Sequence, residues 1–82
     1  VKTIVEYTVP SAGHVAVRIY DLAGRLVATL ADGHREPGTY AAAWNGTTAR
    51  GVPAACGVYF LRMEATAPGG TLSSERTMVL LR

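Results

Sequence analysis

The sequence is short of the features that most often announce a function. It has one cysteine, Cys56, which excludes an internal disulfide, so the fold must stand on packing alone. Cys56 itself is expected to be a small buried or half-buried thiol. No apolar run approaches the ~20 residues that a membrane-spanning helix needs. No cationic start followed by an apolar segment marks a signal peptide either, so any export signal is expected upstream of Val1. Charge of one sign is also scarce. Eight basic and six acidic residues leave a net charge of +2, and they are scattered as solvated faces, which argues against a nucleic-acid partner.

The residues of catalysis and metal binding are equally sparse. A nucleophile, base and orienting group must converge, and the only candidates are His14, His34, Cys56 and a few hydroxyls, none of them placed by a motif. His14 opens a strand and His34 sits in a charged turn, so both read as surface residues. Asp32, His34 and Glu36 match no zinc or calcium spacing. The glycines have no phosphate-cradling order, and Asn45-Gly46-Thr47, formally a glycosylation sequon, reads better as a turn. No catalytic residue, cofactor or metal site is expected, and the chain is not expected to be an enzyme.

What the sequence does contain is period-two alternation between turn residues. With 49% hydrophobic and 17% charged residues over 82 positions, it is long enough for one domain that buries somewhat over ~60% of its unfolded surface. The most fully specified stretch is Gly57 to Ala65, with Tyr59, Leu61, Met63 and Ala65 on one face and Arg62 and Glu64 on the other; it reads as a central strand, stopped at Ala67-Pro68-Gly69-Gly70. Thr3 to Val9 points Val5, Tyr7 and Val9 inward and ends at Pro10. His14 to Tyr20 points Val15, Val17 and Ile19 inward and is expected to form a hairpin with the first strand across Ser11-Ala12-Gly13.

Asp21-Leu22-Ala23-Gly24 has the residues of a type I turn. In the third strand, Arg25 to Leu30, the apolar residues Leu26, Val27 and Leu30 do not share one parity, so either a bulge or a short helical turn interrupts it. Asp32 to Gly38 reads as a polar loop, Thr39 to Asn45 as a strand with Tyr40, Ala42 and Trp44 inward, Asn45 to Ala55 as a long loop, and Leu72 to Leu81 as the closing strand. Six or seven short strands with turn chemistry between them and no helical period predict an antiparallel β-sandwich. Four of the six aromatic residues fall on inward faces. Tyr20 and Phe60 fall outward, where they form either an exposed apolar strip for a partner or a pair beneath a neighbouring loop.

Taken together, these blocks form a known pattern. Thr3 to Pro10, Val17 to Val27, Pro37-Gly38-Thr39-Tyr40, Trp44-Asn45-Gly46, Gly51-Val52-Pro53, Gly57 to Met63 and Arg76 to Arg82 resemble, in order, the bacterial C-terminal Ig-like domains of two related kinds. These are the type IX secretion sorting domain (type A) and the flagellar hook-capping Ig-like domain. Two details differ from the sorting pattern: Pro37-Gly38-Thr39-Tyr40 is one residue shorter than Pro-x-Gly-x-Tyr, and Arg76 stands where lysine is common.

The resemblance implies an all-β, Ig-like or fibronectin-III-like sandwich. It also implies that residues 1–82 are the C-terminal domain of a longer exported protein with an upstream cargo domain, destined for the surface or exterior of a Gram-negative bacterium. The domain then acts as a sorting and anchoring module read by the outer-membrane secretion machinery; alternatively, it is a structural module that assembles with other copies of the protein. The recognition elements that carry over are Gly57, Val58, Tyr59, Phe60 and Arg62 of one strand and Arg76, Met78, Val79, Leu80, Leu81 and Arg82 of the other.

Overall fold

The computed structural model describes residues 3–81. Six strands run in the order β1 (Thr3–Val9), β2 (Gly13–Tyr20), β3 (Leu26–Arg35), β4 (Gly38–Trp44), β5 (Gly57–Ala67) and β6 (Gly70–Leu80), with no helix among the described residues. They form two antiparallel sheets, β1-β4 and β3-β2-β5-β6. As the alternation predicts, Val5, Tyr7 and Val9 of β1, Val15, Val17 and Ile19 of β2, Ala42 and Trp44 of β4, and Tyr59, Leu61 and Ala65 of β5 are buried together between the sheets. Each fully buried Val or Ile contributes roughly 1.5–3 kcal/mol relative to exposure, so the four deepest, Val9, Val15, Val17 and Ile19, anchor the two layers to each other.

The expected β1–β2 hairpin does not form. β1 pairs with β4, from Thr3 opposite Trp44 to Val9 opposite Gly38, while β2 pairs with β3 and β5. Pro10 to Ala12 carries the chain from one layer to the other. Alternation fixes which side of a strand faces the core, and two strands in opposite layers satisfy it as well as two neighbours in one sheet do. β2 starts at Gly13, where a Cβ would lie 2.0 Å from the Thr66 carbonyl oxygen, so only glycine allows β2 to lie this close to β5.

The broken parity of the third strand comes from two bulges. Val17 pairs with Ala31 and Arg18 with Thr29, which leaves Leu30 as an extra residue; Ile19 pairs with Ala28 and Tyr20 with Leu26, which leaves Val27 as another. The strand also runs on through Asp32 to Arg35, expected as loop, because residues Gly13 to Ala16 of β2 supply a ladder for it. Polar side chains on both faces hid that extension, since an edge strand needs one neighbour and little apolar surface.

The β2–β3 turn is built around Asp21. Its Oδ1 accepts the backbone N–H groups of Ala23 and Arg25, both at 2.9 Å, and the Gly24 N–H donates to its carbonyl at 3.0 Å. Gly24 closes the turn at φ 84°, a left-handed conformation that glycine adopts without steric cost. The Arg25 backbone N–H, then the Ala23 N–H and the Arg25 guanidinium, hold the Asp21 carboxyl below its ordinary value.

The long loop folds back over β3, with the Ala49 N–H donating to the Val27 carbonyl at 2.9 Å and a bridge between Thr47 and Pro53. Within it Asn45 Oδ1 accepts from the Thr47 hydroxyl at 2.6 Å and the Thr47 N–H at 3.2 Å, the local turn expected of Asn-Gly-Thr. Cys56 lies at the end of this surface loop and is exposed, contrary to the expected burial; the chain reaches the core on either side of it, at Ala54 and Tyr59.

Candidate interaction surfaces

The residues singled out in the sequence converge on one end of the four-stranded sheet. There β5 and β6 are paired with Gly57 opposite Leu80, Val58 opposite Val79, Tyr59 opposite Met78, Phe60 opposite Thr77 and Leu61 opposite Arg76. The two faces of this ladder differ in kind. Tyr59 and Leu80 are 7% and 3% exposed, so their side chains hold the sandwich together and are not free to meet a partner. Met78 is half-buried against the same core. Gly57 shapes the strand start without a side chain. Arg82 lies outside the described residues.

On the outer face the side chains are available. Val58 and Val79 are 37% and 59% exposed, and Leu81 beyond them is exposed as well. The next row across the sheet is Leu26, Tyr20, Phe60 and Thr77, each opposite the next, with Leu26 54% exposed and Tyr20 and Phe60 half-buried. Tyr20 and Phe60 thus lie on the outward face expected of them, half-buried. They lie side by side in the strip, next to Gly24 of the β2–β3 turn, which helps to line the adjoining hollow. Leu26 was missed as a member of this strip because the bulges shift its parity; the turn signature at Asp21 is the signal that sets it opposite Tyr20.

Beyond the apolar strip the outer face is charged. Arg18 lies 3.6 Å from both the Asp32 and the Glu64 carboxylates, Arg62 3.7 Å from Glu64, and His14 Nε2 2.7 Å from Asp32. Such half-exposed pairs are each worth ~0–1 kcal/mol and serve chiefly to keep this half of the sheet polar. The sheet thus presents a divided surface, apolar at the end where β6 finishes and charged toward the other.

Among the described residues the histidines and the cysteine lie far apart. His14 and His34 face each other across β2 and β3, at the end of the sheet opposite Cys56. The roughly nine residues of strand between them span about 30 Å, which rules out a cysteine–histidine dyad. Among the described residues no three of His, Cys, Asp and Glu come together as a metal site, and no helix is long and apolar enough to cross a membrane.

A four-on-two antiparallel sandwich whose distinguishing surfaces are sheet faces and strand edges is an Ig-like β-sandwich module. The pattern of the FlgD Ig-like domain matches residues 2–69, and the chain belongs to that family. Among solved structures it is similar to FlgD from P. aeruginosa, with a TM-score of 0.76 at 22% identity over 94% of this chain and 58% of that one. The hook-capping FlgD of Xanthomonas campestris, described as essential for flagellar assembly, gives a TM-score of 0.71 at 30% identity over 95% of this chain and 56% of that one. Dimeric latent PorU from Porphyromonas gingivalis gives 0.68 at 25% identity, over 96% of this chain and 9% of that one. The chain therefore spans little more than half of either FlgD. No curated protein matches it.

Proposed function

We propose that this chain is a non-catalytic, structural Ig-like module that joins copies of an exported protein into a larger assembly through the apolar end of its four-stranded sheet. The observation that carries the reading is the exposed Val58–Val79 pair, next to the row of Phe60, Tyr20 and Leu26 on the same face of the sheet. Exposed side chains of this kind, grouped and bordered by charge, are what interaction faces carry and what solitary domains keep small. Membership of the FlgD Ig-like family and the likeness to a hook-capping protein support the same reading.

The test is site-directed crosslinking of Val79→Cys in a Cys56→Ser background. An intermolecular disulfide should form on mild oxidation. An Ile4→Cys control, equally exposed on the other sheet, stays monomeric. Crosslinking of the control alone contradicts the assignment of the face.

The resemblance of the ordered sequence blocks to the type IX sorting domain favours a second reading, in which the domain is an address read by the outer-membrane secretion machinery. Deleting Arg76 to Arg82 from the full-length protein and fractionating the cells tests it. Loss of surface delivery supports the address, and unchanged delivery leaves assembly as the role.

A further inference from the structure

The sandwich is lopsided, and the imbalance leaves a strand-sized gap. Four strands face two. On one side the sandwich is closed, because β4 meets β3 and the long loop bonds to Val27. On the other side β1 has no neighbour beyond β4 among the described residues, so one edge of its backbone N–H and C=O groups is unmet. β6 projects past that edge in the facing layer. Leu72, Ser74 and Arg76 have the same parity as the buried Leu80, yet all three are exposed, Leu72 at 60%. Between β1 and β6 runs an open groove of about 400 Å³, with Val17, Leu61 and Met63 on its floor and Glu6, Ser74 and Arg76 on its walls.

We infer that this groove is an acceptor for a single extended strand donated by another protein, paired with the free edge of β1. The surface is separate from the Val58–Val79 face, so it stands or falls apart from the assembly reading. An added strand lies ~4.8 Å from β1 and points alternate side chains inward, where Leu61 and Met63 favour apolar residues. Strand addition of this kind draws affinity from main-chain hydrogen bonds and selectivity from the alternate side chains.

The charges define the donor further. Among the described residues Arg76 and Glu6 make no ion pair, although both border the groove. Arg76 lines the inner side and calls for a carboxylate at an inward donor position. Glu6 is on the outward parity of β1 and calls for a basic residue at a neighbouring outward one.

A second folded copy does not fit. If two copies met β1 to β1 about a twofold axis, each projecting β6 would occupy the layer position already held by the other's β5 and β6. Pairing through β6 instead would leave the edge of β1 unmet. A lone extended segment has neither obstacle.

The test is selection from a random peptide library displayed on phage, with the 82-residue chain as bait, followed by titration of the enriched peptides. The expected result is enrichment of sequences with alternating apolar residues and an inward Asp or Glu. Binding of such a peptide should slow hydrogen exchange at the amides of Val5 to Thr8 that face the free edge. Arg76→Glu, an exposed change that leaves the core intact, should weaken the peptide roughly ten-fold and, used as bait, should select lysine or arginine at the same position. Three results overturn the inference: enrichment without alternation, binding that leaves exchange in β1 unchanged, or identical peptides selected by wild type and Arg76→Glu.

Discussion

Trp44 and Tyr59 meet edge to face across the two layers, with ring centroids 5.2 Å apart and planes at 71°. Each ring is tied by its polar atom to a backbone carbonyl: Trp44 Nε1 donates to Thr47 at 2.9 Å, and the Tyr59 hydroxyl donates to Ala55. The pair therefore does two things. It joins the small sheet to the large one, and it fixes both ends of the long loop that leads into β5, so that Val58 and Phe60 emerge on the outer face.

Replacing Trp44 by alanine should remove about 3–5 kcal/mol. That is comparable with the whole stability of many domains of this size, so urea denaturation should find the variant largely unfolded. Trp44→Phe keeps a ring but not the N–H, and should lose about 1–2 kcal/mol with a well-folded spectrum.

The close approach of β2 and β5 is tested by two glycines. At Gly13 an added methyl lies 2.0 Å from the Thr66 carbonyl oxygen, whereas at Gly33 its nearest neighbour is Arg35 Nη1 at 3.5 Å. Gly13→Ala should therefore cost about 1–3 kcal/mol as the strands are pushed apart, while Gly33→Ala stays within about 0.5 kcal/mol of wild type. Thermal melts of the two variants side by side give the comparison.

The Asp21 turn predicts the direction of one pH effect. The carboxyl is held below its ordinary value by the Arg25 and Ala23 backbone N–H groups and the Arg25 guanidinium, so the folded form binds its proton less readily than the unfolded chain does. A group depressed in this way stabilises the fold above its unfolded value, and the contribution is lost as pH falls through the folded one. Stability should decline through the acid range below about pH 4, and Asp21→Ala should flatten that part of the curve without altering the slope near neutrality. A carboxyl-detected NMR titration locates the proton uptake directly.

The core was legible in the sequence because burial follows parity. Val5, Tyr7 and Trp44 alternate with exposed neighbours, and Val17, Ile19 and Tyr59 keep the inward parity although Ala16 beside Val17 is also buried. Neighbour relations were less legible. The β1–β2 hairpin was expected because Ser11-Ala12-Gly13 reads as a short turn, but a connection as short as Pro10 to Ala12 also suffices to change layers. Leu26 was hidden by the bulges at Val27 and Leu30, and the strand from Asp32 to Arg35 by its polarity. Of the expected recognition residues, Phe60 falls outward by alternation, whereas Val58 and Val79 are placed on that face by the burial of Leu80 and the pairing of the two strands. The exposure of Arg76, which shares parity with the buried Leu80, goes with a facing sheet of only two strands, and no local pattern encodes that.

The central claim, that the outer apolar strip joins copies of the protein, is tested most directly by sedimentation velocity across a concentration series from micromolar to millimolar. Wild type should shift to larger species as concentration rises. A variant combining Val58→Asp and Val79→Asp, both at exposed positions that leave the core untouched, should remain monomeric throughout. A wild-type protein that stays monomeric over the full range, or a double variant that associates as wild type does, contradicts the account.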